Sequence, residues 1–491
     1  MTPFARTGNA VPIPVGAVPM LAVETFRSEI LSAIERGHRL LLLCGIGREQ
    51  GGTRLLAAIA DDARGEIGLG FSVVAGAYPA LTPECPSAHL FERELHEEWG
   101  VGPQGHPWLK PVRFPAGGPA IGQAEFYRLA GEEIHEVAVG PVHAGVIEPG
   151  HFRFNCHGER VIHLEISLGY QHRGVERALR GGPHINSVHL AETVSGDTTA
   201  AHATAHCQLV EALSETKCPP WALALRAVAI EIERIANHIG DLGAFAGDVG
   251  FLPAAAYCGR LRGDALNLTA LICGSRLGRG FIRPGGVARN VAPQILADLK
   301  QRLAIVEHDM RNAVDLLWKS SSVRARFENT GVLSREAAAE LGIVGPAARA
   351  SGLDRDARRD FPSPLYGNER PEVAVGETGD VFARAMQRWR EIEHSIDHVT
   401  RLLGAPGDGA AAAAVRPLEP HAIAVSIAEG WRGEIVHAAI TNEAARFGWY
   451  KIVDPSFRNW FGLAFAMRGQ AILDFPLCNK SFNLSYCGHD L

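Results

Sequence analysis

The sequence predicts an α+β chain, with a small N-terminal α/β unit followed by a mostly helical domain that contains a small β region. Three observations carry this. Strand-like runs appear early, in Arg39–Cys44, and again in Phe152–Asn155 and Val161–Ile166. The stretch Pro220–Gly250 opens on proline and then repeats Leu, Ile and Val at i, i+3/i+4 spacing, the pattern of a long helix. The length of 491 residues corresponds to about three ordinary domains and is ample for buried cores. Apolar residues at 46% and charged residues at 21% exclude wholesale disorder. A net charge of −6 excludes a nucleic-acid partner held by a basic field. No apolar run approaches the roughly 18 residues of a membrane span. Met1–Pro19 lacks a signal-peptide pattern, so the expectation is a soluble, cytoplasmic chain.

In order along the chain, residues 1–19 read as an N-terminal tail and residues 20–115 as the α/β unit. Within that unit, an amphipathic stretch (Glu24–Arg36) leads into the run Arg39–Cys44, a Gly-rich loop (Gly45–Gly52) and a charged helix (Ala88–Trp99). Residues 116–135, Pro/Gly-rich and then polar, read as a linker. Residues 136–491 form the large domain, strand-like to about Arg180 and then helical. It contains an Ala/Gly connector at 404–417 and ends in mixed structure from Ile435 to Leu491.

The loop Gly45–Gly52 fails as a phosphate cradle. Its third Gly is one place late for a dinucleotide fingerprint and no Lys follows for a P-loop, so it reads as a turn. The nine cysteines contain no C-x-x-C pair, and their odd number argues against a disulfide framework. In Glu192–Cys207 a helix would bring Ser195, Thr198, His202 and His206 within roughly 80° of one another. Such a cluster either lines a polar or metal-binding pocket or forms a polar solvent face. In Glu231–Asp241, residues Arg234, His238 and Asp241 form a polar stripe that Asp248 continues; pairing on a solvated face explains it as well as function does.

Longer motifs carry a resemblance. Phe91-Glu-Arg-Glu-Leu-His-Glu-Glu-Trp-Gly-Val-Gly-Pro-Gln-Gly-His-Pro-Trp-Leu-Lys110 resembles the signature of the small hydrophilic subunit of complex I. Gly140-Pro-Val-His143, Glu148-Pro-Gly-His-Phe-Arg153 and Gly169-Tyr-Gln-His-Arg-Gly-Val-Glu176 resemble the start of the quinone-site subunit of complex I. They match equally the large subunit of membrane-bound [NiFe] hydrogenases of the formate hydrogenlyase and hydrogenase-4 type. The match continues through Glu233–Gly243, Arg279–Gly286, Ser351–Asp360, Glu429–Glu434 and Pro455–Phe457. The fused order, small unit before large, is that of the hydrogenase-4 and formate hydrogenlyase large subunits. The resemblance implies that the large domain has the [NiFe]-hydrogenase large-subunit fold.

The same family's [NiFe] members bind nickel through two C-x-x-C pairs, because the site needs soft, deprotonated sulfur bridges. By this resemblance the first pair falls on Ser195 and Thr198, and the second on Cys478 and Ser481, which leaves Cys478 as the one possible ligand. Nickel is therefore not expected, and the chain resembles a nickel-free, hydrogenase-related branch. In complex I a His and a Tyr flank the quinone head group and an Asp pairs with the His. His143 matches the first His of that family loop, and the second falls on Ile147, or on His151 across a gap. The Tyr falls near Ser195–Gly196, His202 matches a histidine on the same family helix, and Asp248 matches the aspartate. The resemblance thus implies His151, His202 and Asp248 as proton-handling residues in a quinone-like pocket lined by His143, Ser195, Thr198 and His206. It implies a peripheral subunit at the cytoplasmic face of the cell membrane that passes electrons to a quinone-like acceptor, coupled to ion translocation. Its expected partners are an iron–sulfur small subunit, a ferredoxin-like subunit and membrane subunits, with the 4Fe-4S clusters on those partners and no cofactor held firmly by this chain. A working [NiFe] hydrogenase subunit and a catalytically silent scaffold are the competing readings.

Overall fold

The computed structural model describes residues 3–115, 118, 120–143, 147–366, 371–404 and 409–491. The chain begins with β1 (Ala5–Gly8), β2 (Ile13–Pro14), β3 (Met20–Leu21), α1 (Val23–Glu35), β4 (Arg39–Glu49), β5 (Gly52–Asp61) and β6 (Glu66–Val74). The continuous run Leu40–Leu43 is buried, so β4 is a strand covered on both faces. Strands β4, β5 and β6 form an antiparallel meander, extended by β1 and by a short parallel pairing of β3 with β6. The Gly-rich loop is a hairpin: β4 continues through Gly45 to Glu49, and the chain turns at Gly51, whose φ is 98°. The short strand β7 (Ala77–Pro79), α2 (His89–Trp99) and β8 (Gly102–Gln104) complete the unit.

From β9 (Ile134–Val139), β10 (His151–His157) and β11 (Arg160–Ser167), a three-stranded antiparallel sheet, the chain passes into helices α3 (Val175–Leu179), α4 (Ser187–Glu192) and α5 (Thr199–Leu213). The long helix expected at Pro220–Gly250 is α6 (Pro220–Asp248), packed against α7 (Leu252–Cys273). A short β12 (Ile282–Arg283) and β13 (Gly286–Val287) hairpin precedes α8 (Pro293–Lys319), α9 (Ser321–Phe327), α10 (Arg335–Glu340), α11 (Gly345–Ala350), α12 (Ala357–Asp360) and α13 (Val381–Leu402). The chain closes with β14 (Ala422–Gly430), β15 (Gly433–Thr441) and β16 (Phe447–Val453), then α14 (Pro455–Ala466), α15 (Phe475–Phe482) and α16 (Tyr486–Asp490). The described residues are thus mixed helix and sheet, as the α+β expectation requires.

Two expectations about organisation change. The N-terminal segment is no tail: β1 pairs with β6, and Ile13 and Pro14 pair with Ile423 and Ala422 of β14. The side chain of Asn9 also donates to the Ile427 carbonyl at 3.0 Å. The α/β unit likewise has no separate core, because Leu40, Leu56 and Phe91 share one buried cluster with Ile423, Val425, Trp449 and Phe457. Gly45 marks the crossing. Its carbonyl accepts from Trp449 Nε1 at 3.1 Å, and a Cβ there would sit 2.6 Å from the Trp99 indole. Within the 404–417 connector, residues 405–408 lie outside the described residues, while Ala413 donates to the Gly285 carbonyl and docks its end on the β12–β13 turn.

A core shared in this way unfolds as one unit. Gly45→Ala is expected to lower stability by about 1–3 kcal/mol, the usual cost of overpacking. Thermal unfolding followed by both Trp fluorescence and far-UV circular dichroism is expected to show one shifted transition. Separate transitions for residues 20–115 and the remainder would contradict the shared core.

Candidate functional site

Helix α6 carries the ionic core. Its polar stripe of Arg234, His238 and Asp241 is buried, not solvated. Arg234 pairs with Glu231 at 3.1 Å and donates to the Glu429 and Gly430 carbonyls at 2.8 and 3.0 Å. His238 Nε2 meets Glu391 at 2.9 Å, and Arg388 donates to Asp241 at 2.6 Å. Arg349 bridges Glu391 and Glu429, both at 2.8 Å, while Arg358 joins Glu231 to Asp356. Burial works against an ionised Glu391, but Arg349, His238 and Arg234 outweigh it and hold its carboxyl well below the usual range. At Glu429 the balance goes the other way: burial and the Asp356 carboxylate push it up to about 7.

This network positions the turn between β14 and β15. Arg234 holds the carbonyls of Glu429 and Gly430, and the next two residues, Trp431 and Arg432, reach the loop before α5. Trp431 Nε1 and Asn237 Nδ2 both donate to the Asp197 carbonyl at 3.0 Å. Arg432 donates to Ser195 Oγ at 3.1 Å, to Thr198 Oγ1 at 3.0 Å, to Asp197 Oδ2 at 2.8 Å and to the Asn483 carbonyl at 2.6 Å. Asp197 is the member that reaches the surface, with 33% of its side chain exposed. Burial disfavours its charge, yet Arg432 and the Ser195 hydroxyl hold the carboxyl below its ordinary value. Against this cluster stands the last helix, α16. Ser195 Oγ lies 3.0 Å from its N-cap, Ser485 Oγ, which in turn is 3.3 Å from Cys487 Sγ. Burial and the nearby Glu148 carboxylate push the Cys487 thiol up to about 11. The Gly169–Glu176 segment holds this end in place: the amides of Gly169 and Gln171 donate to Asp490, and Arg173 donates to the Cys487 carbonyl.

The helix that bears His202 and His206 has no polar solvent face, since both histidines and nearly all of α5 are buried. His202 Nε2 lies 2.9 Å from Asp454 Oδ2, and its Nδ1 lies 3.1 Å from His437 Nε2. His437 Nδ1 and His206 Nδ1 both meet the Tyr450 hydroxyl, at 2.8 and 2.9 Å.

The structure therefore joins Ser195 and Thr198 in one cluster and His202 and His206 in another, but it separates the remaining candidates from both. Asp248, which the resemblance placed in the pocket, is exposed at the end of α6, and its charged neighbour is Lys480. Asp454 takes its place because the N-cap of α14 points inward at α5. His143 and His151 close a loop on themselves: His143 Nε2 meets the Gly150 carbonyl at 3.1 Å and His151 Nδ1 meets the Gly140 carbonyl at 3.0 Å. His151 lies against Phe126 with ring centroids 4.8 Å apart, and no carboxylate among the described residues pairs with it. Cys478 and Ser481 are not the counterparts of Ser195 and Thr198. They lie at Arg384, which donates to Ser481 Oγ at 2.8 Å. The segment that meets Ser195 is Ser485-Tyr-Cys-Gly488, through Ser485 Oγ at 3.0 Å. Sequence reasoning missed Arg432, Asp197, Asp454, His437, Tyr450 and Ser485. The available signals were Asp454 before Pro455, an N-cap pattern, and Arg432 inside the Glu429–Glu434 motif.

The N-terminus of α5 also receives Glu233 of α6, which accepts from the Ala200 amide at 2.7 Å. Burial raises its carboxyl from an ordinary 4.5 to about 8, opposed by the two helix amides. A raised folded-state value means this group's contribution to stability is full below pH 4.5 and is lost as pH rises through about 8. The fall in melting temperature between pH 6 and 8 is therefore expected to be smaller in Glu233→Gln than in the parent chain.

Residues 248–421 match the family described as respiratory-chain NADH dehydrogenase, 49 Kd subunit. Carbon monoxide-induced hydrogenase of Rhodospirillum rubrum is 30% identical over 350 residues, 71% of this chain and 97% of that protein. Formate hydrogenlyase subunit 5 of Escherichia coli is 28% identical over 432 residues, 83% of this chain and 76% of that protein. NADH-quinone oxidoreductase subunit 4 of Thermus thermophilus is 27% identical over 369 residues, 70% of this chain and 90% of that protein. With 30% identity and near-complete coverage of one such relative, the chain belongs to the family that unites complex I-like hydrogenase large subunits with the 49 Kd subunit of NADH dehydrogenase.

Proposed function

We propose that this chain is a peripheral oxidoreductase subunit of a membrane-bound, complex I-like assembly that works without nickel. In this reading, electrons arrive from 4Fe-4S clusters on iron–sulfur partner subunits and reduce a quinone-like acceptor, and membrane partner subunits couple the reaction to ion translocation. Among the described residues, no helix is long and apolar enough to cross a membrane. The loop bearing His143 and His151 carries exposed Val142 (91%) and Ile147 (53%), apolar tips that suit contact with a membrane partner subunit.

One observation carries the reading: the Arg432 guanidinium lies among Ser195, Asp197 and Thr198, where nickel ligands would have to converge. Two hydroxyls, a carboxylate and a fixed cation do not fit nickel. The hydroxyls stay protonated, and the guanidinium cannot lose its charge and repels a dication. The donor set suits a different task. Arg432 stabilises negative charge that develops on a head-group oxygen during reduction, and Ser195 and Thr198 orient it by hydrogen bonds. Glu233, whose carboxyl is raised to about 8, remains protonated at neutral pH beside the same helix terminus.

The test uses the assembled complex purified from membranes. Metal analysis is expected to find nickel far below one per chain, and reduction of a water-soluble quinone analogue is expected to proceed. Arg432→Met is expected to lower that rate on the order of 100-fold, the loss typical for one oxyanion-stabilising donor. Stoichiometric nickel would restore the hydrogenase reading. An unchanged quinone rate in an intact Arg432→Met complex would instead favour the scaffold.

A further inference from the structure

We propose that Asp454, His202, His437, Tyr450 and His206 form a proton wire that delivers protons to the Arg432 site, a proposal that rests on the acceptor chemistry assigned above. The five side chains are buried and run from the N-cap of α14 through α5, β15 and β16. Their four contacts measure 2.9, 3.1, 2.8 and 2.9 Å, each short enough for direct proton transfer.

The two ends fix the direction of every hydrogen. Asp454 is an acceptor. Its Oδ1 takes the Ser456 amide at 2.7 Å, so Oδ2 faces His202. Burial opposes its charge, but the hydrogen bonds from His202 and Ser456, together with the Arg432 charge, hold its carboxyl below the usual range. His202 therefore carries its hydrogen on Nε2 and accepts on Nδ1. His437 must then donate from Nε2 and accept on Nδ1, so the Tyr450 hydroxyl donates to His437 and accepts from His206 Nδ1–H. Burial lowers both His437 and His206, the latter to about 4, which keeps both rings neutral as this ordering requires. His206 Nε2 is left as a bare, buried acceptor without a hydrogen-bond partner among the described residues.

A proton taken up at His206 Nε2 is matched by one released at each following link. The hydrogen on His206 Nδ1 passes to Tyr450, that of Tyr450 to His437 Nδ1, that of His437 Nε2 to His202 Nδ1, and that of His202 Nε2 to Asp454. Only N–H and O–H bonds form and break, no electron moves, and the product is a protonated Asp454 with the tautomers reversed. The delivery end adjoins the site: a Cβ on Gly488 would lie 2.7 Å from the Asp454 carboxyl carbon, and Gly488 belongs to the segment that meets Ser195. The entry end lies against Phe447, T-shaped to His206 at 6.2 Å, whose chain neighbours Arg446 and Gly448 are exposed.

Tyr450→Phe keeps the ring and removes the one hydroxyl through which both histidines communicate. In the assembled complex, with rates normalised to reduction of a one-electron dye as a count of intact complex, its quinone reduction is expected to fall at least about tenfold. The solvent deuterium isotope effect on the residual rate is expected to rise. Should Tyr450→Phe fail to assemble, His206→Gln, which still donates to Tyr450 but cannot relay, is expected to show the same loss and the same isotope signature. Parent rates with an unchanged isotope effect in either assembled variant would overturn the wire. A parent complex that reduces no quinone analogue would instead count against the acceptor assignment beneath it.

Discussion

Arg349 and its carboxylate partners set the terms for everything around them. A guanidinium with almost no solvent exposure is tolerable only if its donors are spoken for, and here Glu391 and Glu429 take them from two different elements. Glu391 in turn holds His238 of α6, and Glu429 opens the turn that carries Arg432. Removing one partner of a buried pair leaves an uncompensated charge, typically at a cost of about 3–5 kcal/mol. The network therefore behaves as a rigid frame, since no member can shift without stranding another. The precision with which Arg432 meets Ser195, Thr198 and Asp197 descends from that frame.

The frame also separates two kinds of polar interior. Around α6 most charges are fixed: arginines face Glu231, Glu391 and Asp356, whose carboxyls are held below the usual range. Around α5 the polar groups are three imidazole rings and a phenol joined end to end to Asp454. The first arrangement suits position, the second proton movement, and Arg432 and Asp454 stand where the two adjoin.

Periodicity and motif spacing made much of this legible. The long helix of α6 and the strands near residues 40 and 152 follow from apolar pattern, because a local period reports which face is buried. The turn at Gly51 follows from the failure of the glycine spacing to suit a phosphate. What local pattern cannot report is the partner across the core. The stripe Arg234–His238–Asp241 looks the same whether it faces water or Arg349 and Glu391, and nothing local to His202 points to Asp454 as its carboxylate partner. The mistaken pairing of Ser195 with Cys478 has the same origin, since Ser485 carries no thiol to draw attention and only the fold brings it 3.0 Å from Ser195. The short strand β2 was missed because its hydrogen-bonding partner, β14, lies more than 400 residues away.

That last separation has a kinetic meaning. Asn9 reaches Ile427 across 418 residues, so the N-terminal segment has one of the highest contact orders a chain of this length allows. During synthesis at about 5–20 residues per second, the first strands emerge some 20–80 s before their last partner exists. Through that interval the apolar face of β4 and α2, later covered by β14 and Trp449, has nothing of its own chain to rest on. The opening residues act as the final stitch of the fold, and the early chain depends on whatever shields it until the C-terminal sheet arrives.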